Sequence, residues 1–420
     1  MGRTEKLCVR HGRQARQNDG IMKKVALGIY ISVPFCRTKC SYCNFASDVF
    51  SRAVFERYVD RLCHDLAHAS QTAEKIGGRV IRDVDSIYLG GGTPTVLDPA
   101  QLQRIFRSVR EQFLVAPDAE ITVECAPGTL LPVVDTLVDC GVNRVSLGVQ
   151  SFVDVEAAAV GRLHKRSTVL DDIARLRAAG ISNFNVDLIA GLPHQTSASW
   201  QESVAQALTT GAPHMSVYML EVDDDSRLGR EVVAGGTRYH AHFVPDEDAT
   251  ADFYISACEQ LNAAGISQYE ISNFARAGSE SRHNLKYWTR QPYLGFGVDA
   301  HSMLLSSLPD AEAVRFSAPD VLEKYVAGDA LQKAFVTSTA ALEESLFLGL
   351  RLNRGVDLRE IRTRFGESQR QSLEPIITRL VDETLLQQNG DFLSLTHRGR
   401  LLSNEVFQAF LGPGTVTATA

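Results

Sequence analysis

Three cysteines near the amino terminus have a spacing that could hold an iron–sulfur cluster. Cys36, Cys40 and Cys43 lie in the stretch CRTKCSYC, which reads C-x3-C-x2-C. Three thiolates on one loop can ligate three irons of a cubane [4Fe–4S] cluster and leave the fourth iron open to an exogenous molecule. A structural zinc site would need four ligands, and the spacing of His64 and His68 suits an exposed helix face instead. The motif therefore favours a cluster with one open position.

Six short apolar runs are predicted to be the strands that position this loop. Segments with helical apolar spacing separate the runs, and strands that alternate with helices indicate βαβ units and a parallel sheet. The runs occupy residues 27–33, 86–91, 120–125, 144–150, 183–189 and 214–220. Six such units suit either a (β/α) barrel or a doubly wound sheet.

Polar and glycine residues at the ends of these runs discriminate between the two folds. CRTKCSYC, GGGTPT, Glu124, Gln150 and Asp187 all fall at or just past the carboxyl ends of successive runs. A (β/α) barrel builds its reactive site at that end from several strands, whereas a doubly wound sheet uses one switch point. The pattern predicts an α/β fold, an incomplete (β/α)6 TIM-type barrel.

Charge and hydropathy argue against two classes of partner. The formal net charge is −7, so we expect no nucleic-acid binding. No apolar run reaches the roughly 18 to 20 residues of a membrane span, and the basic first 24 residues lack the apolar stretch of a signal peptide. Without a secretory signal, the eight cysteines are not expected to form a disulfide framework. We expect a cytoplasmic protein.

The cysteine motif resembles the signature of radical S-adenosylmethionine (SAM) proteins, in which an aromatic residue, here Tyr42, precedes the third cysteine. In that superfamily SAM takes the fourth iron, and an electron from the cluster cleaves SAM to methionine and a 5′-deoxyadenosyl radical. The resemblance also implies an electron donor such as flavodoxin or ferredoxin. Between residues 27 and 410, eight segments in order resemble the oxygen-independent coproporphyrinogen III oxidase-like family: IYISVPFC, LGGGTPT, VECAPGT, RVSLGVQSF, GRLH, VDLIAGLPHQT, YEISNFA and SRHNLKYW.

The resemblance implies a set of SAM contacts. Glu124 would hold the ribose or the amino end, and the glycines would let SAM approach the backbone closely. Taken alone, GGGTPT is also compatible with a tight turn and Asp187 with a helix cap. The implied contacts are Tyr30, Tyr42, Gly91, Gly92, Thr93, Glu124, Gln150, Arg162 and Asp187.

Phe45 separates two branches of this family. The oxidase branch carries a further cysteine two residues after the third, whereas the haem chaperone branch carries phenylalanine there, as here. The haem chaperone branch also has an H-N-x-x-Y-W motif associated with haem binding, present here as His283, Asn284, Tyr287 and Trp288. A neutral imidazole can ligate haem iron, and aromatic rings can cover a porphyrin face. Local hydrogen bonding is the alternative interpretation of His283, and His301 is a second possible ligand.

These observations predict a haem chaperone that binds haem and transfers it to an acceptor protein, with a SAM-bound [4Fe–4S] cluster. The alternative is an oxygen-independent coproporphyrinogen III oxidase, so whether the chain is an enzyme stays open. A radical SAM enzyme that modifies RNA is a third possibility, opposed by the acidic charge. Ser32 stands where the family usually has histidine, which we expect to alter the surroundings of the cluster.

Five segments are predicted along the chain. Residues 1–24 are a disordered basic extension with Met22 as an alternative start, and residues 412–420 are a tail. Between them lie a radical SAM partial barrel with the [4Fe–4S] site (25–225), a barrel-completing region with the H-N-x-x-Y-W motif (226–335) and a small winged-helix-like domain (336–411). The last has no basic face, which favours packing or partner docking. Its predicted elements are helices near 340–352, 357–365 and 372–387, a hairpin at Asn389–Gly390 and a helix near 397–411.

Overall fold

A computed structural model describes residues 25–222 and 226–412 of the 420-residue chain. The predicted extension 1–24, its alternative start at Met22 and residues 413–420 of the predicted tail lie outside the described residues. The strands are β1 Leu27–Val33, β2 Asp83–Gly91, β3 Leu114–Cys125, β4 Arg144–Gln150, β5 Phe184–Ala190, β6 His214–Met219, β7 Ser267–Gln268, β8 Asn273–Ala275, β9 Tyr293–Gly297, β10 His301–Leu305, β11 Ala313–Ser317, β12 Gln332–Val336, β13 Val356–Asp357, β14 Leu386–Asn389 and β15 Phe392–Leu395.

The helices follow most strands of the first half and dominate the last quarter of the chain. In the described ranges, none is both long and apolar enough to cross a membrane. Two short 3-10 helices occupy Pro94–Val96 and Arg238–Phe243. The α-helices are α1 Arg52–Ala67, α2 Ala69–Ile76, α3 Pro99–Gln112, α4 Val134–Asp139, α5 Asp154–Ala159, α6 Arg166–Ala178, α7 Ser197–Thr209, α8 Arg227–Val233, α9 Glu247–Ala263, α10 Arg282–Trp288, α11 Leu322–Ala327, α12 Ser338–Gly349, α13 Leu358–Phe365, α14 Glu367–Ser372, α15 Glu374–Asp382, α16 His397–Leu401 and α17 Ser403–Ala409.

Six parallel strands form the centre of a twelve-stranded sheet. Strands β1 to β6 are neighbours in chain order, and each pairs in parallel with the next. The region 226–335 adds strands to both edges, with β9 parallel to β1 and β8 antiparallel to β6. Within the described residues no pairing joins the outermost strands β7 and β12. The barrel is therefore incomplete, and the predicted fold class is confirmed.

The two faces of the central strands differ in polarity. Ile29 and Ile31 of β1 are fully buried in the main hydrophobic core. Tyr30 between them points to the opposite face, where its ring centroid lies 6.2 Å from that of Tyr88 on β2. Successive side chains of a strand alternate between faces. The sheet therefore presents apolar side chains to its core and a second, more polar face to the interior of the barrel.

Hydrogen bonds between neighbouring strands line this inner face. The Asn185 side-chain amide on β5 donates to the hydroxyl oxygens of Ser146 on β4, at 2.7 Å, and Ser216 on β6, at 3.0 Å. The His214 Nδ1 atom lies 2.7 Å from the side-chain Oδ1 atom of Asn185. Buried polar groups are stable when they are paired in this way. The interior of the barrel is thus a polar, ordered surface on which a site can be built.

A second, small core forms near the carboxyl terminus. Leu346, Leu350, Leu393 and Val406 are fully buried in it. Helices α12, α13 and α15 precede the hairpin β14–β15, which turns at Gly390 with a φ of 61° and pairs with β13. Helices followed by a three-stranded wing make this part winged-helix-like, as predicted.

Two predicted helices of this part are divided in the structure. The predicted helix 372–387 is instead the end of α14, then α15, then strand β14. Pro375 lies in the first turn of α15, and Thr384 has a left-handed φ of 60°, which ends helical geometry before β14. The predicted helix 397–411 is α16 and α17, separated at Leu402, where φ is −106° and ψ is 31°.

Candidate functional site

The cysteine loop, residues 34–48, leaves the carboxyl end of β1 and returns on itself. The Cys36 N–H donates to the carbonyl oxygen of Asp48 at 3.0 Å. The Lys39 ammonium donates to the carbonyl oxygen of Phe45 at 2.6 Å. These bonds fix the loop across its width, so the three cysteines are held on one ordered segment.

Two side chains from outside the cysteine loop reach the cysteine sulfurs, one just after β2 and one in the loop after α5. The Thr93 hydroxyl donates to the Cys36 Sγ atom at 3.9 Å, and the Arg162 guanidinium donates to the Cys40 Sγ atom at 3.6 Å. Burial raises the pKa of the Cys36 thiol, while hydrogen bonds from Ser47 and Thr93 oppose that rise. A cation and a hydroxyl donor beside the sulfurs favour thiolates, which are the form that binds metal.

The glycine turn at the end of β2 packs against the start of the cysteine loop. The Gly92 N–H donates to the Val33 carbonyl oxygen at 2.8 Å, and the Thr93 N–H donates to that of Phe35 at 2.7 Å. A Cβ atom at Gly92 would lie 2.6 Å from the Phe35 oxygen, and Gly91 has a φ of 98°. Only glycine fits both positions. The neighbouring backbone by itself therefore requires glycine at residue 92, and the approach of SAM to this turn stays a prediction.

Glu124, the last inward-facing residue of β3, is half-buried on the polar face. Burial raises its pKa to about 7, a hydrogen bond from Tyr88 opposes the rise, and the negative charge of Asp187 adds to it. The Tyr88 hydroxyl donates to the Glu124 Oε1 atom at 2.9 Å. A carboxyl group with such a pKa is partly protonated at neutral pH, a perturbation common at functional sites.

Asp187 lies within β5, so the alternative of a helix cap is wrong. Its carboxylate accepts hydrogen bonds from the Ser146 hydroxyl at 3.1 Å and the Asn185 amide at 2.6 Å. Burial raises the pKa of Asp187, and these donors hold it down. Glu124 and Asp187 therefore face one another as two acidic groups of a single interior.

Gln150 and Arg162 meet at the end of β4. A Cβ atom at Gly148 would lie 2.9 Å from an Arg162 Nη atom and 3.1 Å from the Gln150 Nε2 atom. Gln150 has a left-handed φ of 68°, and Arg162 also donates to the Gly148 carbonyl oxygen. Burial raises the pKa of Tyr42 well above its ordinary value, and the positive charge of Arg162 opposes that rise. Of the sequence-predicted SAM contacts, Gly91, Gly92, Thr93, Glu124 and Gln150 thus lie at the carboxyl ends of β2 to β4, with Tyr42 and Arg162 in the loops beside them. Asp187 lies within β5, and Tyr30 lies in the middle of β1.

The histidine of the H-N-x-x-Y-W motif lies elsewhere, near the amino ends of β1 and β2. His283 is buried, its Nδ1 atom lies 3.0 Å from the Ser86 hydroxyl and its Nε2 atom 2.9 Å from the Tyr287 hydroxyl. Its backbone N–H donates to Glu120 at 3.1 Å. Burial lowers its pKa to about 3, and the positive charge of Lys286 adds to this effect. The imidazole is neutral, and both its nitrogens are occupied.

The other predicted haem residues are spread around this helix. The Asn284 backbone N–H donates to the Ser281 hydroxyl oxygen, which caps α10, and the guanidinium carbon of Arg351 lies 4.3 Å from the centroid of the Trp288 ring. His301 on β10 is largely exposed, and its Nε2 atom lies 3.6 Å from Asp299. We find no contact that brings His301 together with His283 among the described residues.

Comparison with known proteins decides the family. Residues 30–207 match the Radical SAM superfamily, and residues 336–402 match the HemN C-terminal domain. The haem chaperone HemW of Bacillus subtilis (strain 168) is 34% identical, over 91% of this chain and 98% of the relative. HemW of Escherichia coli (strain K12) is 30% identical, over 93% of this chain and 100% of the relative. The chain belongs to the HemW family of radical SAM proteins.

The fold is shared with a solved structure. Coproporphyrinogen III oxidase (HemN) from Escherichia coli superposes with a TM-score of 0.78, over 92% of this chain and 90% of that chain, at 23% identity. At this identity the likeness concerns the fold, so it does not separate a HemW-type function from a HemN-type one.

Membership of the radical SAM superfamily implies a [4Fe–4S] cluster and SAM, and the cysteine loop fits the cluster. The thiols of Cys36, Cys40 and Cys43 are all free. Among residues 25–222 and 226–412, no three His, Cys, Asp or Glu side chains converge closely enough to hold a single metal ion. A cubane takes one cysteine per iron. The donor set therefore suits a cluster rather than a mononuclear site.

The H-N-x-x-Y-W helix of this HemW-family chain does not fit haem ligation through His283 in the present conformation. An axial ligand needs a nitrogen lone pair directed at the iron. Both ring nitrogens of His283 are engaged with hydroxyl groups inside the barrel. Ligation would require these two hydrogen bonds to break and the ring to leave its buried position.

Sequence reasoning missed the buried polar network that supports the acidic pair. Tyr88, Arg144, Asn185 and His214 were assigned no role, yet they connect strands β2 to β6 on the inner face. A signal was present, because polar residues alternate with apolar ones within these otherwise apolar runs. Polar side chains at every second position of the parallel strands would have identified the residues of the inner face.

Proposed function

We propose that this chain is a cytoplasmic haem chaperone that binds haem and passes it to an acceptor protein while it carries a [4Fe–4S] cluster and SAM. The observation that carries the proposal is the similarity to HemW proteins over almost the whole length of both chains, 34% for the Bacillus subtilis relative. Phe45 supports it, because the resemblance implies a cysteine at this position in the oxidase branch and phenylalanine in the haem chaperone branch. The Phe45 side chain is 63% exposed, so its place in the loop is not dictated by packing.

The cysteine loop would hold the cluster. In this proposal Cys36, Cys40 and Cys43 ligate three irons, and SAM takes the fourth. The contact of Arg162 with the Cys40 sulfur supports this assignment, since a cation offsets the negative charge of clustered thiolates. Once bound, the cluster with SAM supplies one-electron chemistry, for which a donor such as flavodoxin or ferredoxin would be the reductant.

The strand ends around the loop would hold SAM. Backbone groups of the glycine turn 91–93 adjoin the cysteine loop directly. Tyr30 lies beside Tyr88 on the inner face of the sheet. The Glu124 carboxylate would accept a hydrogen bond from the ammonium group of SAM, because the positive charge of that group favours the ionised carboxylate. Gln150, Arg162 and Asp187 would line the remaining wall.

A coproporphyrinogen III oxidase is the alternative, and the likeness to HemN gives it a specific basis. The two proposals predict different outcomes in one experiment. After anaerobic reconstitution of the cluster, the protein is titrated with haemin and separately incubated with coproporphyrinogen III, SAM and a reductant. A saturable Soret band without protoporphyrinogen formation is expected. Robust turnover, or no saturable haem binding, would overturn the chaperone proposal.

A further inference from the structure

A pocket rich in histidine and aromatic side chains lies against the outside of the cysteine loop. Its volume is about 640 Å³, within the range of small-molecule sites. Lys39 and Ser41, the neighbours of Cys40 in the chain, form one side of it. The segment Thr237–Phe243 supplies the opposite side, where Tyr239, His240, His242 and Phe243 face the cavity. We refer to this cavity as the histidine pocket.

His240 has the arrangement of a metal-ligating imidazole. Its Nδ1 atom lies 3.1 Å from the Nε2 atom of His194, a residue of the loop after β5. In metal sites the ligating histidine is held by a hydrogen bond to its other nitrogen, which fixes the ring and its tautomer. The His240 side chain is exposed to the cavity. Its Nε2 atom is therefore the one left to face a ligand.

The walls suit a flat, apolar ring system. The Phe243 ring centroid lies 4.2 Å from that of His194 and 4.1 Å from that of His242, and Phe243 remains 48% exposed. Tyr239 is 39% exposed and carries the guanidinium of Arg227 5.7 Å from its ring centroid. These exposed rings give the pocket an aromatic surface against which a flat ligand can pack.

The charge of the pocket is positive. Lys39 and Arg227 line it, and its described lining contains no aspartate or glutamate. Both cations are oriented by backbone oxygens, Lys39 by those of Phe45 and Ser47 and Arg227 by that of Lys39. A ligand with carboxylate groups at one edge would find its counter-ions there.

The backbone holds His240 in a strained conformation. Tyr239 and His240 are consecutive residues with left-handed φ angles of 55° and 61°. Such angles are unfavourable for residues other than glycine, and pairs of them persist where the surroundings demand a particular side-chain direction. In this conformation the His240 ring lies against His194, with 3.1 Å between the two nitrogens.

We propose that the histidine pocket binds haem, with the His240 Nε2 atom as axial ligand, the rings of Tyr239 and Phe243 against the porphyrin, and Lys39 and Arg227 at its propionates. The inference deepens the proposed function and rests on it. His194 would act as a positioning residue through its bond to His240. This site differs from the H-N-x-x-Y-W helix, whose histidine has no open nitrogen, and it lies beside the cluster loop.

The test is an optical titration of the cluster-loaded protein with haemin. His240→Ala should shift or abolish the Soret band and weaken affinity by at least about tenfold. Arg227→Gln should weaken affinity without a change in the position of the band. His283→Ala should leave both unchanged. The matched control is His64→Ala with His68→Ala, since these exposed histidines at the end of α1 have ring centroids 4.1 Å apart and lie outside the histidine pocket.

The readout for His194 separates positioning from folding. His194→Ala should broaden or shift the spectrum of bound haem, while His194→Gln, whose side-chain amide oxygen can still accept a hydrogen bond from the His240 Nδ1–H, should restore it. Circular dichroism checks the fold of each variant. If wild type binds no haem, the proposed function fails. If wild type binds and His240→Ala binds with the same spectrum and affinity, only the histidine pocket is refuted, and loss of binding in His283→Ala would return the ligand to the H-N-x-x-Y-W helix.

Discussion

Replacing Glu124 with glutamine removes a half-buried carboxyl group from the inner face of the barrel. Burial raises its pKa from 4.5 to about 7, against a hydrogen bond from Tyr88 and with a further rise from the charge of Asp187. Glutamine has the same shape and can still accept the Tyr88 hydroxyl, which lies 2.9 Å away. The substitution therefore isolates the ionisation of one group.

The sign of the effect follows from proton binding. Between the unfolded and folded pKa values, 4.5 and about 7, the folded protein holds a proton that the unfolded chain has lost. Stability due to this group is therefore present below pH 4.5 and is lost as pH rises through 7. At 1.36 kcal/mol per pKa unit, the full loss is about 3 kcal/mol, of which about 2.5 kcal/mol falls between pH 5 and pH 8.

The assay compares wild type and Glu124→Gln without cluster. The free energy of unfolding in urea is measured at pH 5 and pH 8, and its decrease should be about 2.5 kcal/mol smaller in the variant. Only this difference is assigned to Glu124, because burial also raises the pKa of Asp187 and Glu270. Infrared difference spectra give a direct reading, since the C=O band of a protonated acid at pH 6 should vanish with the substitution.

Two further variants make the reasoning refutable. Glu259→Gln, an exposed carboxyl group on α9, should not alter the pH dependence. Tyr88→Phe removes the donor that favours the ionised form, so it should raise the pKa of Glu124 further. Equal pH dependence of wild type and Glu124→Gln would show that Glu124 ionises normally in the folded protein.

Three other substitutions test the surroundings of the site. Arg162→Ala should lower the iron and sulfide content after reconstitution, because the cation beside the Cys40 sulfur is lost. Arg162→Lys keeps a positive charge and should retain part of that iron and sulfide. Wild-type iron and sulfide content in Arg162→Ala would contradict this role. Gly92→Ala places a Cβ atom 2.6 Å from the Phe35 oxygen and should lower the free energy of unfolding by about 1–3 kcal/mol, with weaker SAM binding by calorimetry; wild-type stability would show that the turn can shift. His283→Ala leaves two buried hydroxyl partners unpaired and should lower stability by about 2–4 kcal/mol in a urea titration; a loss below about 0.5 kcal/mol would indicate an exposed ring.

The strands and the cysteine loop were predictable because their signals are local. The runs 27–33 and 144–150 are strands with the predicted bounds, since each places an unbroken row of apolar side chains on its core face. Glu124 and Asp187 were placed at strand ends by the same runs. The ends of parallel strands meet at one edge of a barrel, so residues distant in sequence could be grouped into one site.

The buried environment of His283 was not predictable from its motif. A polar, aromatic string such as HNLKYW is compatible with an exposed ligand site and with a buried hydrogen-bonded helix. Its environment depends on Ser86 and Glu120, which come from strands more than 160 residues away in the chain. The apolar periodicity of the sequence carries no information on which distant strand residues contact His283.

By itself, the sequence determined the family, the alternation of strands and helices in the first half and the three cysteines of the loop, because apolar periodicity and motif spacing are properties of neighbouring residues. The tertiary structure alone decided which polar side chains share an interior, which glycines are needed by adjacent backbone, and that His194 meets His240 across 46 positions. It also raised the pKa of Glu124 to about 7. Burial and distance between segments set hydrogen bonding and ionisation, and both exist only once the chain has folded.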